Sequence, residues 1–582
     1  AGNNRLADPE EPRMIRLTLA LICLALPAHA QTRADPEAGS GWQAKPLVIT
    51  QESMIVAAHP AASQAGLDML TMGGSAADAA IAALLVLNVV EPQSSGIGGG
   101  AFALVHTNEG TKSFDARETA PMAATPELFF KDGEKMGWRE AVPSGRSVGT
   151  PGLLRLMGEL HYHHGQLPWA RLFQPAIDLA HNGFPVSPRL AKSIERFQPQ
   201  LEGTDAAAVF LPGGKPLDEG ETFSNPAFAW TLRRLALSGA NIFYEGPLSA
   251  KIVAAVHAAP DPGSLSLTDL ANYQVIERPP VCMAYGDVEI CGMGPPSSGA
   301  TTVGQILGLI AAVGGESDEA AAAHLFAEAS RLAYADRAAY LADPDVVKVP
   351  VKGLLESGYL AERAKLISPA QAASGKASAG EPPWREGHWA PDHGVTSPGT
   401  THLSVIDSDG MAISLTASIE TAFGSKRMAG GFLLNNQLTD FSFSPTAPDG
   451  TPIVNAPGPG KRPRSSMSPT IVLKDGAPVL LTGSPGGSRI PEYVAGSVIA
   501  VLDRGEDPAM AAATGHVSQR NREKLVLEEG QFDAALADAL GKMGHDVDFA
   551  VMTSGLHILQ IMPDGTLRGG ADPRREGVAM GE

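Results

Sequence analysis

The most constraining feature of this chain is an abrupt change of character at residues 399–401. From residue 366 to Gly399, Ser, Ala, Gly and Pro dominate and large apolar side chains are few, the composition of an exposed, mobile segment. Immediately afterwards the sequence turns strongly β: 401–406 and 411–417 alternate around Asp407-Ser408-Asp409-Gly410, a hairpin turn. A loose segment thus ends in a glycine directly before a strand that opens Thr400-Thr401. A threonine hydroxyl is a poor nucleophile unless a base stands beside it. One available base is the threonine's own α-amine, released by cutting the peptide bond before it. Gly399, without a side chain, tolerates the strained conformation that brings Thr400 Oγ onto the Gly399 carbonyl. Taken alone, Gly-Thr-Thr at such a place is most often only a strand start.

The rest of the pattern is one of layers. Residues 54–90 read as Ala-rich helix split by Gly73-Gly74, followed by strands at 101–106 and 111–115. Helices are predicted over 151–183, broken by Gly165 and Pro168, and over 227–258, 300–314 and 318–341. Beyond the 401–417 hairpin, strands fit 470–473 and 478–482, helices fit 491–503, 507–513 and 531–543, and a last hairpin fits 557–561 with 566–568. Antiparallel hairpins flanked by helices predict an α/β, layered α+β architecture with helices outside. Cys282 and Cys291 flank the turn Gly286-Asp287 of a further hairpin. With a two-residue loop they face each other on a non-hydrogen-bonded rung, where side chains approach closest. A disulfide and two free buried thiols both remain open.

The 582 residues carry 44 Lys+Arg against 63 Asp+Glu, a net charge of −19. That acidity disfavours nucleic acid and anionic membranes as partners. An apolar content of 44% excludes wholesale disorder. Near the start, Met14-Ile15-Arg16, the apolar run Leu17–Leu26 and Ala28-His29-Ala30 have the layout of a secretory signal peptide, with residues 1–13 an over-extended gene start. The expectation is removal of residues 1–30, then a secreted or periplasmic protein with no membrane span.

Several residues invite chemistry. The strand at 478–482 runs into Gly483-Ser484-Pro485-Gly486-Gly487-Ser488, whose backbone N–H groups can hold a developing oxyanion. No Lys-Ser/Thr follows these glycines, so a phosphate loop is rejected. Gly96-x-Gly98-x-x-Ala101 follows a helical run rather than a strand, so a dinucleotide site is rejected too. Arg117, at a strand end, suits capture of a carboxylate, and Ser465-Ser466 could add hydroxyl donors. Glu420, Gln437 and Asp440 could together hold an ammonium. His161, His163 and His164 sit at a solvated helix end with no carboxylate arranged around them, so neither a metal nor another cofactor is expected.

Eight segments, in order, resemble the γ-glutamyltranspeptidase (glutathione hydrolase) family of N-terminal-nucleophile hydrolases. They are GGSAADAA at 73–80, SFDARETAP at 113–121, PPSSG at 295–299, TTHLSVIDSDG at 400–410, LLNNQLTDF at 433–441, KRPRSSMSPT at 461–470, GSPGGSRI at 483–490 and ADPRR at 571–575. The resemblance implies an αββα sandwich of two stacked, largely antiparallel sheets. It implies a precursor cut between Gly399 and Thr400 into a large subunit (31–399) and a small one (400–582) that stay together in one unit. Thr400 would then attack the γ-amide of glutathione or another γ-glutamyl compound, and water or an amino-acid or dipeptide amine would take the glutamyl group. On the same grounds Arg117, Ser465 and Ser466 would hold the substrate α-carboxylate, Glu420, Gln437 and Asp440 its α-amine, and Gly486 and Gly487 the oxyanion. Ser418 falls where the family usually has a threonine that orients the nucleophile. Residues 442–460 are short and lack the tyrosine with which some members cover the site, which predicts an open pocket. The alternatives are a cephalosporin (glutaryl) acylase of the same fold, with less need of an ammonium pocket, and a non-catalytic, uncut amino-acid-binding protein.

Overall fold

The computed structural model describes residues 1–2, 39–314, 318–392, 394 and 399–582. The signal-peptide reading falls on residues outside that set. Fourteen strands build two seven-stranded sheets: β1 (Val48–Thr50), β2 (Met54–Ala57), β3 (Gly100–Thr107), β4 (Gly110–Ala116), β5 (Ile276–Arg278), β6 (Val281–Tyr285), β7 (Val288–Gly292), β8 (Thr400–Ile406), β9 (Ala412–Ser418), β10 (Thr470–Lys474), β11 (Ala477–Thr482), β12 (His557–Ile561), β13 (Leu567–Ala571) and β14 (Val578–Gly581). One sheet runs β1-β13-β12-β11-β10-β7-β6, the other β14-β2-β8-β9-β3-β4-β5, and every neighbouring pair within them is antiparallel. The helices that matter here are α1 (Pro60–Thr71), α2 (Ala76–Val90), α3 (Gly299–Val313), α4 (Glu319–Tyr340) and α5 (Ile490–Leu502).

Alternation along the strands makes the layers. In β2, Ile55 and Ala57 join the apolar core under α1 and α2, whereas Met54 and Val56 join the core shared with the other sheet and with α3, α4 and α5. Phe102 and Leu104 of β3 divide from Ala101, Ala103 and Val105 in the same way. The stack is therefore helices, sheet, sheet, helices. Helix α2 is buried along its whole length and is started by a capping box, with Ser75 Oγ accepting from Asp78 N and Asp78 answering to Ser75 N.

One reading of the sequence is corrected. Residues 54–57 are not the start of a helix but strand β2, between β14 and β8. Both faces of this strand are buried, so its apolar run lacks the alternation that marks a half-exposed strand. The 470–482 and 557–571 hairpins stand at β10–β11 and β12–β13. Cys282 and Cys291 are register partners on β6 and β7 and are joined by a disulfide, with Cα atoms 4.0 Å apart. No helix among the described residues is long and apolar enough to cross a membrane.

Candidate active site

The Gly399–Thr400 junction enters the centre of the second sheet. Strand β8 lies between β2 and β9, and Thr400 is paired with Ser418 across β8–β9. Both side chains are buried. The Ser418 hydroxyl donates to the Gly399 carbonyl at 2.8 Å, accepts from Glu420 N at 2.8 Å, and lies 3.4 Å from the donating Thr400 Oγ1. One hydroxyl thus touches the threonine oxygen and the carbonyl next to it. Gly399 has a steric requirement that composition does not show: a Cβ there would fall 2.2 Å from the Glu420 carbonyl oxygen and 2.6 Å from the Thr421 carbonyl carbon. The 420–421 backbone can come this close only to a glycine. Glu420 itself sits at φ 78, a strained conformation for a residue with a side chain, of the kind that clusters at functional sites.

Beyond Glu420 the charged groups converge. Gln437 Nε2 lies 3.4 Å from Glu420 Oε2, and one short 3-10 turn, Gln437–Asp440, carries both Gln437 and Asp440. Asp440 is ion-paired with Arg117, which is buried and also donates to the Pro463 carbonyl at 3.1 Å and the Arg464 carbonyl at 3.2 Å. Those carbonyls place Arg117 beside Ser465-Ser466. Burial works against the Arg117 charge, but Asp440, Glu118 and Glu420 overcome it and hold its pKa above the ordinary value. Burial pushes the Glu118 carboxyl up to about 8 against the pull of Arg117, whose Nη1 is 3.8 Å away. Among the described residues, the buried atoms Gln437 Oε1 and Asp440 Oδ1 have no hydrogen-bond partner. Two unsatisfied acceptors at one place suit a cation with several N–H donors.

Gly486 (φ 133) and Gly487 (φ 58) follow β11 and lead into α5. A Cβ on Gly486 would strike the Tyr493 ring at 2.5 Å. Helix α4 bridges this loop to the serine pair: Tyr334 donates to the Ser488 carbonyl, and one helical turn later Arg337 Nη2 donates to Ser466 Oγ at 2.6 Å. Arg337 was not singled out by the sequence. It lies inside an Ala-rich helix far from every other site residue, and only the packing of α4 brings it there. Its Nε donates to Ser298 Oγ at 2.8 Å, which ties the PPSSG segment to Ser466. The Ser465 carbonyl accepts from Ser298 N and Oγ, both at 2.8 Å.

The histidines at the end of the 153–164 helix are engaged otherwise: His161 bonds the Leu167 carbonyl at 2.8 Å, and His163 lies 3.7 Å from Glu159. Among the described residues, one group has metal-ligand spacing, Cys282, Glu289 and Cys291, and its sulfurs are joined to each other.

A four-layer αββα sandwich, with a Gly-Thr junction at the start of a central strand, defines an enzyme of the N-terminal-nucleophile type. Comparison with known proteins narrows this. A sequence model of the family Gamma-glutamyltranspeptidase matches residues 62–582. The glutathione hydrolase proenzyme of Bacillus subtilis (strain 168) is 35% identical over 97% of both chains. That of Escherichia coli (strain K12) is 36% identical over 90% of this chain and 91% of the relative. The crystal structure of cephalosporin acylase from Bacillus halodurans is 29% identical, with a TM-score of 0.81, and covers 94% of this chain and 99% of that one. The chain belongs to the γ-glutamyltranspeptidase family.

Proposed function

We propose that this chain is the precursor of a glutathione hydrolase and γ-glutamyltransferase, which cuts itself between Gly399 and Thr400 and then works through the freed threonine. The observation that carries the reading is the junction itself. Ser418 aims a hydroxyl at the Gly399 carbonyl and touches Thr400 Oγ1, and the adjoining Glu420 leads to a buried pair of opposite charges. In the cut, Thr400 Oγ adds to the Gly399 carbonyl carbon, and Ser418 donates to the oxygen as it becomes anionic. The C–N bond breaks, the nitrogen takes the proton that Oγ gives up, and an ester links Gly399 to Thr400. Water then hydrolyses the ester, leaving a carboxylate on Gly399 and a free α-amine on Thr400.

In turnover that amine takes the Thr400 Oγ proton as Oγ attacks the γ-carbonyl of the donor. Gly486 and Gly487 N–H groups hold the oxyanion. The leaving amine departs with the proton, and water or an amino-acid or peptide amine resolves the glutamyl ester. Arg117 with Ser465 and Ser466 takes the α-carboxylate, while Glu420, Gln437 and Asp440 take the α-ammonium. A head group lacking either charge leaves a buried partner unsatisfied, which makes the zwitterion the selected ligand. The two unpartnered acceptors, Gln437 Oε1 and Asp440 Oδ1, favour this over a glutaryl acylase, whose substrate has no ammonium. Export into an oxidising compartment is part of the proposal, supported by the signal-peptide layout and the Cys282–Cys291 disulfide.

The test is a denaturing gel with N-terminal sequencing, alongside turnover of γ-glutamyl and glutaryl anilides. Wild-type protein is expected to give two bands, the smaller starting Thr-Thr-His-Leu, and to prefer the γ-glutamyl anilide. Thr400→Ala should stay as one band and lose at least about 1,000-fold in activity, as triad-type nucleophile deletions do. A folded wild-type protein that stays uncut would remove the proposed base and favour a binding protein; preference for the glutaryl anilide would favour the acylase.

A further inference from the structure

Lys426 occupies a place that works against stability twice over. Its backbone is left-handed, at φ 61, a conformation that suits glycine and strains a residue with a side chain. Its side chain is buried and forms no ion pair among the described residues. Burial alone lowers its amine from 10.5 to about 7. The charged groups on its own and the adjoining segments have other partners. Arg427, next along the chain, donates to the Pro143, Ala255, Ala258 and Pro260 carbonyls. The Ala206 amide bonds the Lys426 carbonyl at 3.3 Å, but Asp205 beside it acts, with Asp261, on Arg427. Glu420 and Asp440 act on Arg117.

What the amine holds is one short turn. It donates to the Gly424 carbonyl at 2.8 Å and to Thr421 Oγ1 at 3.2 Å. Gly424 N donates back to the Thr421 carbonyl at 2.8 Å. Thr421 is in turn fastened to Asn436, whose Oδ1 accepts from Thr421 N and from Thr421 Oγ1, both at 3.0 Å. Left-handed backbone recurs through this stretch, at Glu420, Phe423 and Gly424 as well as Lys426. Such a run persists only where surrounding bonds over-determine it. The same backbone closes on Gly399, where a Cβ would stand 2.2 Å from the Glu420 carbonyl oxygen and 2.8 Å from that of Thr421. Glu420 N also donates to the Ser418 hydroxyl that meets the Gly399 carbonyl.

We infer that Lys426 is a positioning residue for the cut at 399–400: its buried ammonium fixes the 420–424 turn against Gly399, which keeps Ser418 on the carbonyl that Thr400 attacks. The inference rests on the self-cleavage reading. Neither a strained backbone nor a buried cation without an acid stabilises the chain, so the residue is explained by what it positions. The ammonium makes charge-assisted bonds and the neutral amine weaker ones, so the hold on the turn is fullest below about 7 and slackens above it. Stability runs the other way. An amine lowered from 10.5 to about 7 gives its full support to the fold above 10.5, and that support is lost as pH falls through about 7. Rate and stability therefore respond to this side chain with opposite signs.

The test follows the disappearance of freshly synthesised full-length chain on a denaturing gel, for wild type and Lys426→Met. Methionine keeps an unbranched stem and drops the amine. The wild type is expected to cut about tenfold faster than the variant at about pH 6, and only about threefold faster at about pH 8.5. Taking the ratio at each pH removes the dependence that belongs to Thr400 itself. Melting curves on the uncut Thr400→Ala background complete the test: adding Lys426→Met should leave the melting temperature the same or higher, because an unpaired buried charge is gone. A side chain that merely fills space would lose rate and stability together. A ratio near unity at pH 6, or one that does not fall toward pH 8.5, overturns the inference, as does a slower cut accompanied by a lower melting temperature. A folded wild type that stays whole overturns the self-cleavage reading, and the inference with it.

Discussion

The head-group site and a cationic cleft lined by Arg337, Lys376, Arg464, Arg520 and Arg522 meet at Arg464–Ser466, yet they handle charge in opposite ways. In the first, one buried arginine is surrounded by Asp440, Glu118 and Glu420, and its nearest acid is in direct contact. In the second, Asp392 is bonded to Arg464, while Arg337 donates to the hydroxyls of Ser298 and Ser466 and lies over the Tyr334 ring. A balanced cluster positions a ligand that is itself balanced, because an ion of one sign would leave the other side unpaired. The difference teaches that the two regions hold charge by different physics: the first by short-range pairing out of water, the second with part of its cationic wall open to solvent.

The largest expected effect comes from unbalancing the head-group site. Asp440→Asn removes the acid in contact with Arg117 and one acceptor for the proposed ammonium. We expect kcat/KM for the neutral γ-glutamyl anilide to fall about 1,000-fold or more, the scale for a site whose buried polar partners are left unmatched. Chemical denaturation should show a loss on the order of 3 kcal/mol from the broken buried pair. A variant within tenfold of wild type would mean that the two pockets do not differ in this way.

Salt probes the comparison more gently. Raising ionic strength from about 0.05 to about 0.5 M should leave kcat/KM for the neutral γ-glutamyl anilide steady, because screening reaches exposed charges and not buried ones. A steep salt curve would collapse the distinction.

The smallest effect concerns pH. The Glu118 carboxyl, raised from 4.5 to about 8 by burial, keeps its proton in the folded chain at pH values where it ionises unfolded. Its contribution to stability is therefore complete below 4.5 and is lost as pH rises through about 8. Glu118→Gln, neutral throughout, should leave stability near wild type at pH 5 and exceed it at pH 9. Melting curves at both pH values check the sign, and a variant less stable at pH 9 would show Glu118 ionised beside Arg117.

Much of this site was legible through the eight segments that resemble the family, and one part of it is also local. The β8–β9 hairpin announces itself by alternation around Asp407–Gly410, and that register alone puts Ser418 opposite Thr400. Gly399 was legible as a glycine but not for the right reason, since the constraint comes from the 420–421 backbone pressing on it. Strand β2 was misread because burial on both faces erases the period that distinguishes strand from helix. Arg337 and Arg520 were invisible for a different cause: each reaches the site across the fold, from a helix and a loop whose local patterns carry no mark of it. Side-chain charge is written in the sequence; which charges share a pocket is settled by packing.

The order of the strands has one more consequence. In one sheet β8 and β9, from beyond residue 400, lie between β2 and β3 from before it; in the other, β1, β6 and β7 flank β10 to β13. Both cysteines of the disulfide precede residue 399, so it ties no part of the early chain to the late one. A molecule cut at 399–400 is then two interleaved strips without a covalent link. Pulling them apart means unzipping both sheets, so dissociation and unfolding become a single event with a high barrier. Reassembly changes its reaction order: the uncut chain can refold alone at any dilution, whereas the cut pair must first find each other. The scission that would arm the threonine would also make folding a history the molecule cannot readily repeat.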